Sequence, residues 1–171
     1  DGGAISGATS DNYQIGTVTQ DHAGSYTCKV TNDLGYIDSN AASLTVNEAP
    51  VIDTQPQDET VDPGQTATFE VSATGTEPLG FQWKKNGVNI SGAYANTYEI
   101  TSAQQIHEGS YTCHVSNVLD GIESDVAILT VNDPPVITGQ PQSLTVDPQE
   151  SASFTVTADG TETLQYQWQK N

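Results

Sequence analysis

The stretch HEGSYTCHVSN, residues 107–117, alternates small or polar residues with Tyr111, Cys113 and Val115. This period of two predicts a β-strand that turns those three side chains towards a core. The chain has one other cysteine, Cys28, which lies in a close copy of the stretch, HAGSYTCKVTN at 22–32. The strand therefore looks like half of a disulfide whose other half is missing.

The two stretches belong to a repeat of 85 residues that runs along the whole chain without a gap. The same spacing separates three landmark pairs: Tyr26 and Tyr111, Cys28 and Cys113, Trp83 and Trp168. Two proline-rich joints, VNEAPVI (46–52) and VNDPPVI (131–137), predict short and stiff linkers. The predicted domains are the C-terminal half of one domain at 1–47, a complete domain at 48–132 and the N-terminal half of the next at 133–171.

Short alternating runs with turn signals between them predict an all-β sandwich for the complete domain. Each run has one apolar face, so two antiparallel sheets can pack over a shared core. The pair Asn86-Gly87 predicts a tight hairpin. The predicted strands lie at 66–73, 79–85, 97–100, 109–117 and 126–131.

These residues resemble the immunoglobulin superfamily, in its intermediate (I-set) form. The resemblance rests on Trp83 and Trp168, on GSYTC at 24–28 and 109–113, and on closing strands that lead into the proline joints. The resemblance covers the whole chain. The sequence pattern of the repeat is similar to that of bacterial tandem repeats in long secreted or surface proteins. It implies tandem immunoglobulin-like sandwiches in which each tyrosine hydroxyl bonds to nearby backbone.

The sequence departs from that family at the first cysteine, because its position holds Val71 in one repeat and Val156 in the next. Equivalent cysteines one repeat apart cannot reach the roughly 6 Å Cα separation of a disulfide. We therefore predict free cysteines that pack as small apolar side chains, with reactive thiols as the alternative. The predicted structural core comprises Val71, Trp83, Tyr111 and Cys113, and their equivalents Val156, Trp168, Tyr26 and Cys28.

A second departure precedes the tyrosine, where the family's acidic residue is replaced by His22 and His107. The family's acid usually pairs with a basic residue, and this chain has no arginine. Few residues separate the hairpin from the strand at 97–100, so one strand of the family is expected to be short or absent.

The charge of −18 and the composition restrict the function classes. Four lysines without arginine assemble no basic patch for nucleic acid or an anionic membrane surface. No apolar run reaches the roughly 18 residues of a membrane span. The first residues lack the basic start and apolar run of a signal peptide. Abundant Thr, Ser, Asn, Gln and Gly favour an exported protein, so we expect an extracellular or cell-surface location.

Three acidic residues near the joints, Asp62, Asp133 and Asp147, are weak calcium candidates. Calcium requires six to eight oxygen ligands, and the two joints differ in their acidic residues, so no cofactor is expected. No nucleophile–base set, phosphate loop or metal-hydrolase motif is present, and we predict no enzyme activity.

The leading hypothesis is a structural or adhesive array that forms a rod, stalk or filament. Its partners are neighbouring repeats, or copies of itself joined head to tail by strand complementation. The segment is alternatively a window of a longer chain that supplies the missing strands itself. A second hypothesis is a glycan- or protein-binding module of a larger secreted or surface protein, with Tyr36 and Tyr94 as contact candidates. A third is an accessory domain of a secreted enzyme.

Overall fold

The strand that contains Tyr111 and Cys113 lies inside the larger sheet of a computed structural model, which describes residues 3–170. The chain divides after Glu48 into two units. The first unit contains the strands β1 (Gly24–Tyr26), β2 (Lys29–Asn32), β3 (Gly35–Asp38) and β4 (Ala42–Leu44), preceded by a 3₁₀ turn at Gln20–His22.

The second unit contains the remaining strands and a 3₁₀ turn at Gln105–His107. Its strands are β5 (Val51–Thr54), β6 (Glu59–Val61), β7 (Ala67–Glu70), β8 (Ser72–Thr74), β9 (Gly80–Lys85), β10 (Val88–Asn89), β11 (Thr97–Ile100), β12 (Gly109–Ser116), β13 (Gly121–Glu123), β14 (Ala127–Val131), β15 (Val136–Gly139) and β16 (Thr157–Asp159). Among the described residues, no helix is long and apolar enough to cross a membrane.

The larger sheet of the complete sandwich has the order β10-β9-β12-β14-β6, and β13 also pairs with β12. Its longest pairing joins β9 and β12, from Tyr111 opposite Lys85 to Ser116 opposite Gly80. The pairs are antiparallel except for β6 and β14, which run parallel with Val61 opposite Val131. Strand β6, which comes first along the chain in this sheet, therefore lies beside β14, which comes last, and the two run in the same direction.

The opposite layer consists of two short antiparallel pairs, β5 with β8 and β7 with β11. Strands β7 and β8 are consecutive and break at Val71, whose N–H donates to the carbonyl of Asn96 over 2.9 Å. This layer covers the larger sheet because alternate residues of both turn inward. The apolar alternation is visible in the burial of β7, β12 and β14.

The hairpin between β9 and β10 is tight, as Asn86-Gly87 predicted. Both residues have positive φ, 50° for Asn86 and 78° for Gly87, and Val88 pairs with Lys85. These values are typical of the two-residue hairpin turns whose twist matches that of the strands. Among the described residues, no strand lies between β10 (Val88–Asn89) and β11 (Thr97–Ile100), as expected for the strand that was predicted to be short or absent.

The residues on either side of the complete sandwich form smaller sheets. In the first unit β1 pairs with β4 and β2 pairs with β3, and after the second joint β15 pairs with β16. The stretch 26–31 is interrupted at Thr27 and Cys28, whereas its repeat equivalent is one continuous strand, β12. The stretch 165–170 is not a strand, although its equivalent is β9. Each stretch lacks the pairing that its equivalent has in the complete sandwich.

Candidate functional site

The core of the complete sandwich is built around four aromatic rings. The ring of Phe69 stacks on that of Tyr111 with centroids 4.7 Å apart and lies 6.0 Å from that of Trp83. Tyr98 lies 6.0 Å from Tyr111 and 6.3 Å from Trp83. Trp83 is fully buried, and its indole N–H donates to the carbonyl of Ala95 over 3.0 Å. The cluster joins both layers, since Phe69 belongs to one and Tyr111 to the other.

The tyrosine of this core is held by a turn that the histidine organises. The Tyr111 hydroxyl donates to the carbonyl of His107 over 2.6 Å, and Nδ1 of His107 accepts from the backbone N–H of Gln104 over 3.0 Å. The first unit repeats both bonds at the same lengths, with Tyr26, His22 and Thr19. Burial, with the nearby Tyr98, raises the pKa of Tyr111 to about 12. The histidine thus caps the 3₁₀ turn, a role that the sequence did not suggest.

Cys113 and Val71 are completely buried, and both Cys28 and Cys113 are free thiols. The Cys113 N–H donates to Oγ of Ser124 over 2.9 Å. Burial is the main cause that raises the pKa of the Cys113 thiol to about 11. A thiol buried and protonated in this way is inert at neutral pH.

The equivalent core residues after the second joint are not buried, which corrects the prediction for Trp168 and Val156. Trp168 is 51% exposed, Phe154 is 53% exposed and Val156 is half-buried. Trp168 and Val156 line a groove of about 590 Å³ together with Leu164 and Tyr166. The physical reason is that β11, β12 and β14, which enclose Phe69 and Trp83 in the complete sandwich, have no counterpart among the described residues after the second joint.

In the first unit, Cys28 and Tyr26 are less buried than predicted, which corrects the prediction for both residues. Cys28 is exposed and Tyr26 is only half-buried, whereas their equivalents Cys113 and Tyr111 are buried. Val30, the equivalent of the buried Val115, is 61% exposed. Here the layer equivalent to β7 and β8 is the one that is missing. We call these two surfaces the head face (13–46) and the tail face (137–168).

The proline joints are fastened by glutamine side chains at equivalent positions. Nε2 of Gln105 donates to the carbonyls of Val131 and Asn132 over 3.0 and 3.4 Å, and also to a carboxylate oxygen of Asp133. At the first joint Nε2 of Gln20 donates to the carbonyls of Val46 and Asn47 over 3.3 and 3.2 Å. These bonds tie the start of each joint to the 3₁₀ turn that precedes the tyrosine strand.

The far side of each joint is held by a glycine whose backbone leaves no room for a side chain. A Cβ on Gly160 would lie 3.1 Å from Cα of Pro135, and its φ is +147°. A Cβ on Gly75 would lie 3.0 Å from Cα of Pro50, with φ +144°. The Asp133 N–H also donates to Oγ1 of Thr161 over 2.6 Å. The prolines therefore pack directly against the next repeat.

The three calcium candidates do not converge. A carboxylate oxygen of Asp62 accepts from Nδ2 of Asn132 over 2.7 Å, and one of Asp133 accepts from Gln105. The backbone N–H of Asp147 donates to Glu150 over 3.2 Å. Within residues 3–170, no three His, Cys, Asp or Glu side chains are grouped so as to hold a metal ion. Calcium binding by these three residues stays a prediction.

The solvent face of β9, β12 and β13 carries a polar cluster that the sequence alone did not indicate. Glu123 accepts from Nζ of Lys84 over 2.7 Å and from Oγ1 of Thr112 over 2.6 Å, and it lies 3.2 Å from Nδ1 of His114. Partial burial raises the pKa of Glu123, but the bonds from Lys84 and Thr112 and the nearby charges outweigh it, so the pKa is lowered. The cluster ties three strands together.

The order of the strands and the Trp–Tyr core define the class of the complete sandwich, an all-β fold of immunoglobulin type. Residues 49–117 match the family model described as immunoglobulin domain. The chain therefore contains an immunoglobulin domain.

Two curated relatives extend the similarity beyond that domain. The chain is 30% identical over 165 residues to protein sax-3 of Caenorhabditis elegans, an alignment that covers 93% of this chain and 13% of that protein. It is 30% identical over 164 residues to the basement membrane-specific heparan sulfate proteoglycan core protein of Mus musculus, covering 91% of this chain and 4% of that protein. The chain thus spans a small part of the length of either relative.

A solved structure of titin domains I67–I69 matches the fold with a TM-score of 0.59. The match has 23% identity and covers 68% of this chain and 44% of the titin chain. Both curated relatives are animal proteins, so the interpretation of the repeat as bacterial-type gains no support from them.

Proposed function

We propose that this chain is part of a non-catalytic, extracellular array of immunoglobulin domains that serves as an adhesive rod or stalk. The observation that carries the proposal is the repeat itself. Thirteen apolar side chains form the described buried core, and at twelve of them the residue 85 positions away is identical. The exception is Ala103, whose equivalent is Val18. Repeats that share a core in this way are built to recur along a line.

The joints support a rod rather than a flexible string. Proline restricts the backbone, and the clamps from Gln20 and Gln105 recur at both joints. The close packing at Gly75 and Gly160 leaves the chain little freedom to bend there. We therefore propose that each joint is locally stiff.

The strand order supports a load-bearing role. The chain enters the complete sandwich through β5, which pairs with β8, and continues into β6; it leaves after β14, which pairs with β6 in parallel. A force that pulls on both joints slides the pair lengthwise, so its hydrogen bonds must break together rather than one after another. This arrangement resists extension more than a pair that can unzip.

The chemistry of the domain supports a non-catalytic role and an exported location. The thiol of Cys113 and the hydroxyl of Tyr111 are buried in the core, where no substrate reaches them. One relative is by its name a core protein of a basement membrane proteoglycan, which favours an extracellular setting for this chain as well. The net charge of −18 keeps an extended array soluble by self-repulsion.

Single-molecule force spectroscopy on the whole chain tests the load-bearing array. We expect one resisted unfolding event for residues 52–131, which lengthens the chain by roughly 250 Å at about 3.4 Å per residue. The variant Trp83→Ala should lose the event because it empties the core, while Leu119→Ser in an exposed loop should keep it. Extension of the wild-type chain without a resisted event would contradict the proposal.

One observation favours the alternative of a binding module. Tyr36 is exposed on the hairpin of β2 and β3, with Nζ of Lys29 4.2 Å from the centre of its ring. An exposed aromatic ring beside a cation can stack on a sugar. Tyr36 corresponds to Gly121 in the next repeat, so the feature does not recur. Binding on a glycan array that Tyr36→Ala abolishes would establish this alternative.

A further inference from the structure

We infer that Asn89 is an N-glycosylation site and carries an oligosaccharide on the outer face of the larger sheet. The residues Asn89-Ile90-Ser91 form the acceptor tripeptide of N-linked glycosylation, in which a hydroxyl residue follows the asparagine by two positions and no proline lies between them. Of the asparagines in 1–169, Asn89 is the only one with Ser or Thr at that spacing. The inference rests on the proposed extracellular function, because the transferase acts on chains that are exported through the secretory compartment.

The asparagine side chain is open to solvent. Asn89 and Ser91 are exposed, whereas Ile90 between them is half-buried and packs against the core. Since side chains alternate across a strand, Asn89 points to the solvent face of the sheet. Within residues 3–170, neither the amide of Asn89 nor the hydroxyl of Ser91 has a hydrogen-bond partner. A group attached to Nδ2 of Asn89 therefore breaks no bond of the fold.

The strand that holds Asn89 lies at the edge of the larger sheet, where β10 is the first strand in the order β10-β9-β12-β14-β6. Asn89 lies opposite Lys84, and the next N–H along the chain, that of Ile90, donates to the carbonyl of Trp83 over 2.9 Å. Because bonded and non-bonded pairs alternate in an antiparallel ladder, the backbone N–H and carbonyl of Asn89 face away from β9. An oligosaccharide here has space both above the sheet and beside it.

The neighbouring side chain on the same face is directed away from Asn89. Nζ of Lys84 donates to a carboxylate oxygen of Glu123 over 2.7 Å. Glu123 belongs to β13, which pairs with β12 on the side opposite to β9. The Lys84 side chain therefore extends across the sheet and leaves the surface over β10 uncovered.

The tripeptide runs from the strand into a turn that backbone bonds hold. The N–H of Ala93 donates to the carbonyl of Ile90 over 3.3 Å, and Gly92 has a φ of +82°. A positive φ at the third of four residues is typical of a type II turn, which places Ser91 at the exposed corner. Since these bonds involve backbone atoms alone, a group on Asn89 leaves the turn intact.

The reaction is a group transfer from a lipid-linked donor. Nδ2 of Asn89 attacks C1 of the first sugar of an oligosaccharide that is carried on a lipid pyrophosphate. The bond between C1 and the pyrophosphate oxygen breaks, a C–N bond forms, Nδ2 loses one proton and the lipid pyrophosphate leaves. The product carries a bulky, hydrophilic group on its surface. That group also hinders a further strand from pairing with the backbone of Asn89 at the sheet edge.

The repeat supplies a matched acceptor for comparison. In the first unit the equivalent tripeptide is Ala4-Ile5-Ser6, which has the same last two residues and differs at the acceptor itself. Ala4→Asn therefore creates a second acceptor tripeptide of identical sequence at an exposed position. This variant shows whether the host modifies the tripeptide at all.

The intact mass of the full chain, secreted from an animal cell line behind an added leader peptide, tests the inference. An animal host suits the chain because both curated relatives are animal proteins. Wild type should exceed the polypeptide mass of 18.1 kDa by one oligosaccharide, and Ala4→Asn by two. Asn89→Gln and Ser91→Ala should return to the polypeptide mass, whereas Ser91→Thr should keep the oligosaccharide. Asn40→Gln is the matched control, since this exposed asparagine lies outside any acceptor tripeptide, and it should stay modified.

Enzymatic release of the oligosaccharide identifies the modified residue. An amidase specific for N-linked glycans converts the modified asparagine to aspartate, and heavy-oxygen water labels the new carboxylate. Chymotrypsin cuts after Trp83 and Tyr94, so the label should appear in the peptide 84–94, at Asn89 rather than at Asn86. Because Asn89 is exposed, release should proceed on the folded chain without denaturant. Asn89→Gln should melt within about 4 °C of wild type, since it breaks no bond of the fold.

Three outcomes would overturn the inference. A secreted wild type with the bare polypeptide mass would show that the site is not used, and an oligosaccharide on Ala4→Asn in the same host would confine the failure to Asn89. An oligosaccharide that persists in Asn89→Gln or Ser91→Ala would place the modification elsewhere. Release that requires denaturant would show that the folded domain covers Asn89. In each case a resisted unfolding event of residues 52–131 would leave the proposed array intact, and its loss in a glycosylated chain would refute the array instead.

Discussion

Trp83 and Trp168 occupy the same place in the repeat and have similar neighbours along the chain, yet one is fully buried and the other 51% exposed. The indole of Trp83 donates to the carbonyl of Ala95 and lies between two layers of sheet. Trp168 keeps the equivalent ring contact with Phe154, with centroids 6.1 Å apart, and is nevertheless half exposed. The comparison teaches that the repeat is a pattern of sequence, whereas the domain requires both halves of that pattern to meet.

The largest effect should come from emptying the two tryptophan sites. Trp83→Ala removes the centre of the buried cluster and should lower the free energy of unfolding of the complete domain by about 3 to 5 kcal/mol. Trp168→Ala should leave that domain within about 0.5 kcal/mol of wild type, since it lies outside its core. Chemical denaturation followed by circular dichroism measures both. Equal losses in the free energy of unfolding for the two variants would contradict the difference in burial between Trp83 and Trp168.

The next effect concerns the core position at which the repeats differ. Ala103 is fully buried, so Ala103→Val should overpack the complete domain and cost about 1 to 3 kcal/mol. Val18→Ala, the reverse change on the head face, should leave the complete domain unchanged. Denaturant midpoints measure both changes. A neutral Ala103→Val would show that this corner of the core has spare room.

A smaller effect should appear at high pH. Burial raises the pKa of Cys113 to about 11 and that of Tyr111 to about 12, so both are protonated in the folded domain. The stability they contribute is present below their ordinary pKa values and is lost as the pH rises through 9 to 12. Melting temperatures across this range should fall, and Cys113→Ala should reduce the part of the fall between pH 9 and 11. Cys28→Ala, as the exposed control, should not change it.

The smallest effect should come from the polar cluster on the outer face. The lowered pKa of Glu123 means that its contribution is present above the ordinary carboxyl pKa and is lost as the pH falls below about 4.5. Since the side chains are partly exposed, Glu123→Gln should cost at most about 1 kcal/mol near neutral pH and flatten the acid transition of the complete domain. Asp38→Asn, at the equivalent position of the first unit, is the control. If wild type and Glu123→Gln have the same acid transition, the cluster does not contribute to the stability of the domain at low pH.

Local patterns predicted most of the complete domain. Alternation placed Phe69, Trp83 and Cys113 on inward faces, and Asn86-Gly87 marked the hairpin, because strand period and turn geometry depend on near neighbours. The missing cysteine partner was visible as Val71. The domain boundaries 1–47, 48–132 and 133–171, like the I-set subtype, stay predictions. The division after Glu48 concerns compactness and does not test them.

Other features depend on residues far apart in the chain, and the sequence did not indicate them. Glu123 meets Lys84 and Thr112 only because β9, β12 and β13 lie side by side. Gln105 reaches the joint some 26 residues ahead of it. The prediction of buried Cys28 and Trp168 was wrong for the same reason, since burial requires a covering layer that local pattern cannot supply.

The sequence by itself determined the repeat, the strands and which side chain of each strand is apolar, because these follow from spacing along one chain. Only the tertiary structure decided which of those apolar faces is closed, since closure depends on two layers meeting in space. It also decided how the joints are clamped and where the titrating groups lie. For that reason HEGSYTCHVSN at 107–117 is a core strand, whereas its near copy at 22–32 is largely exposed.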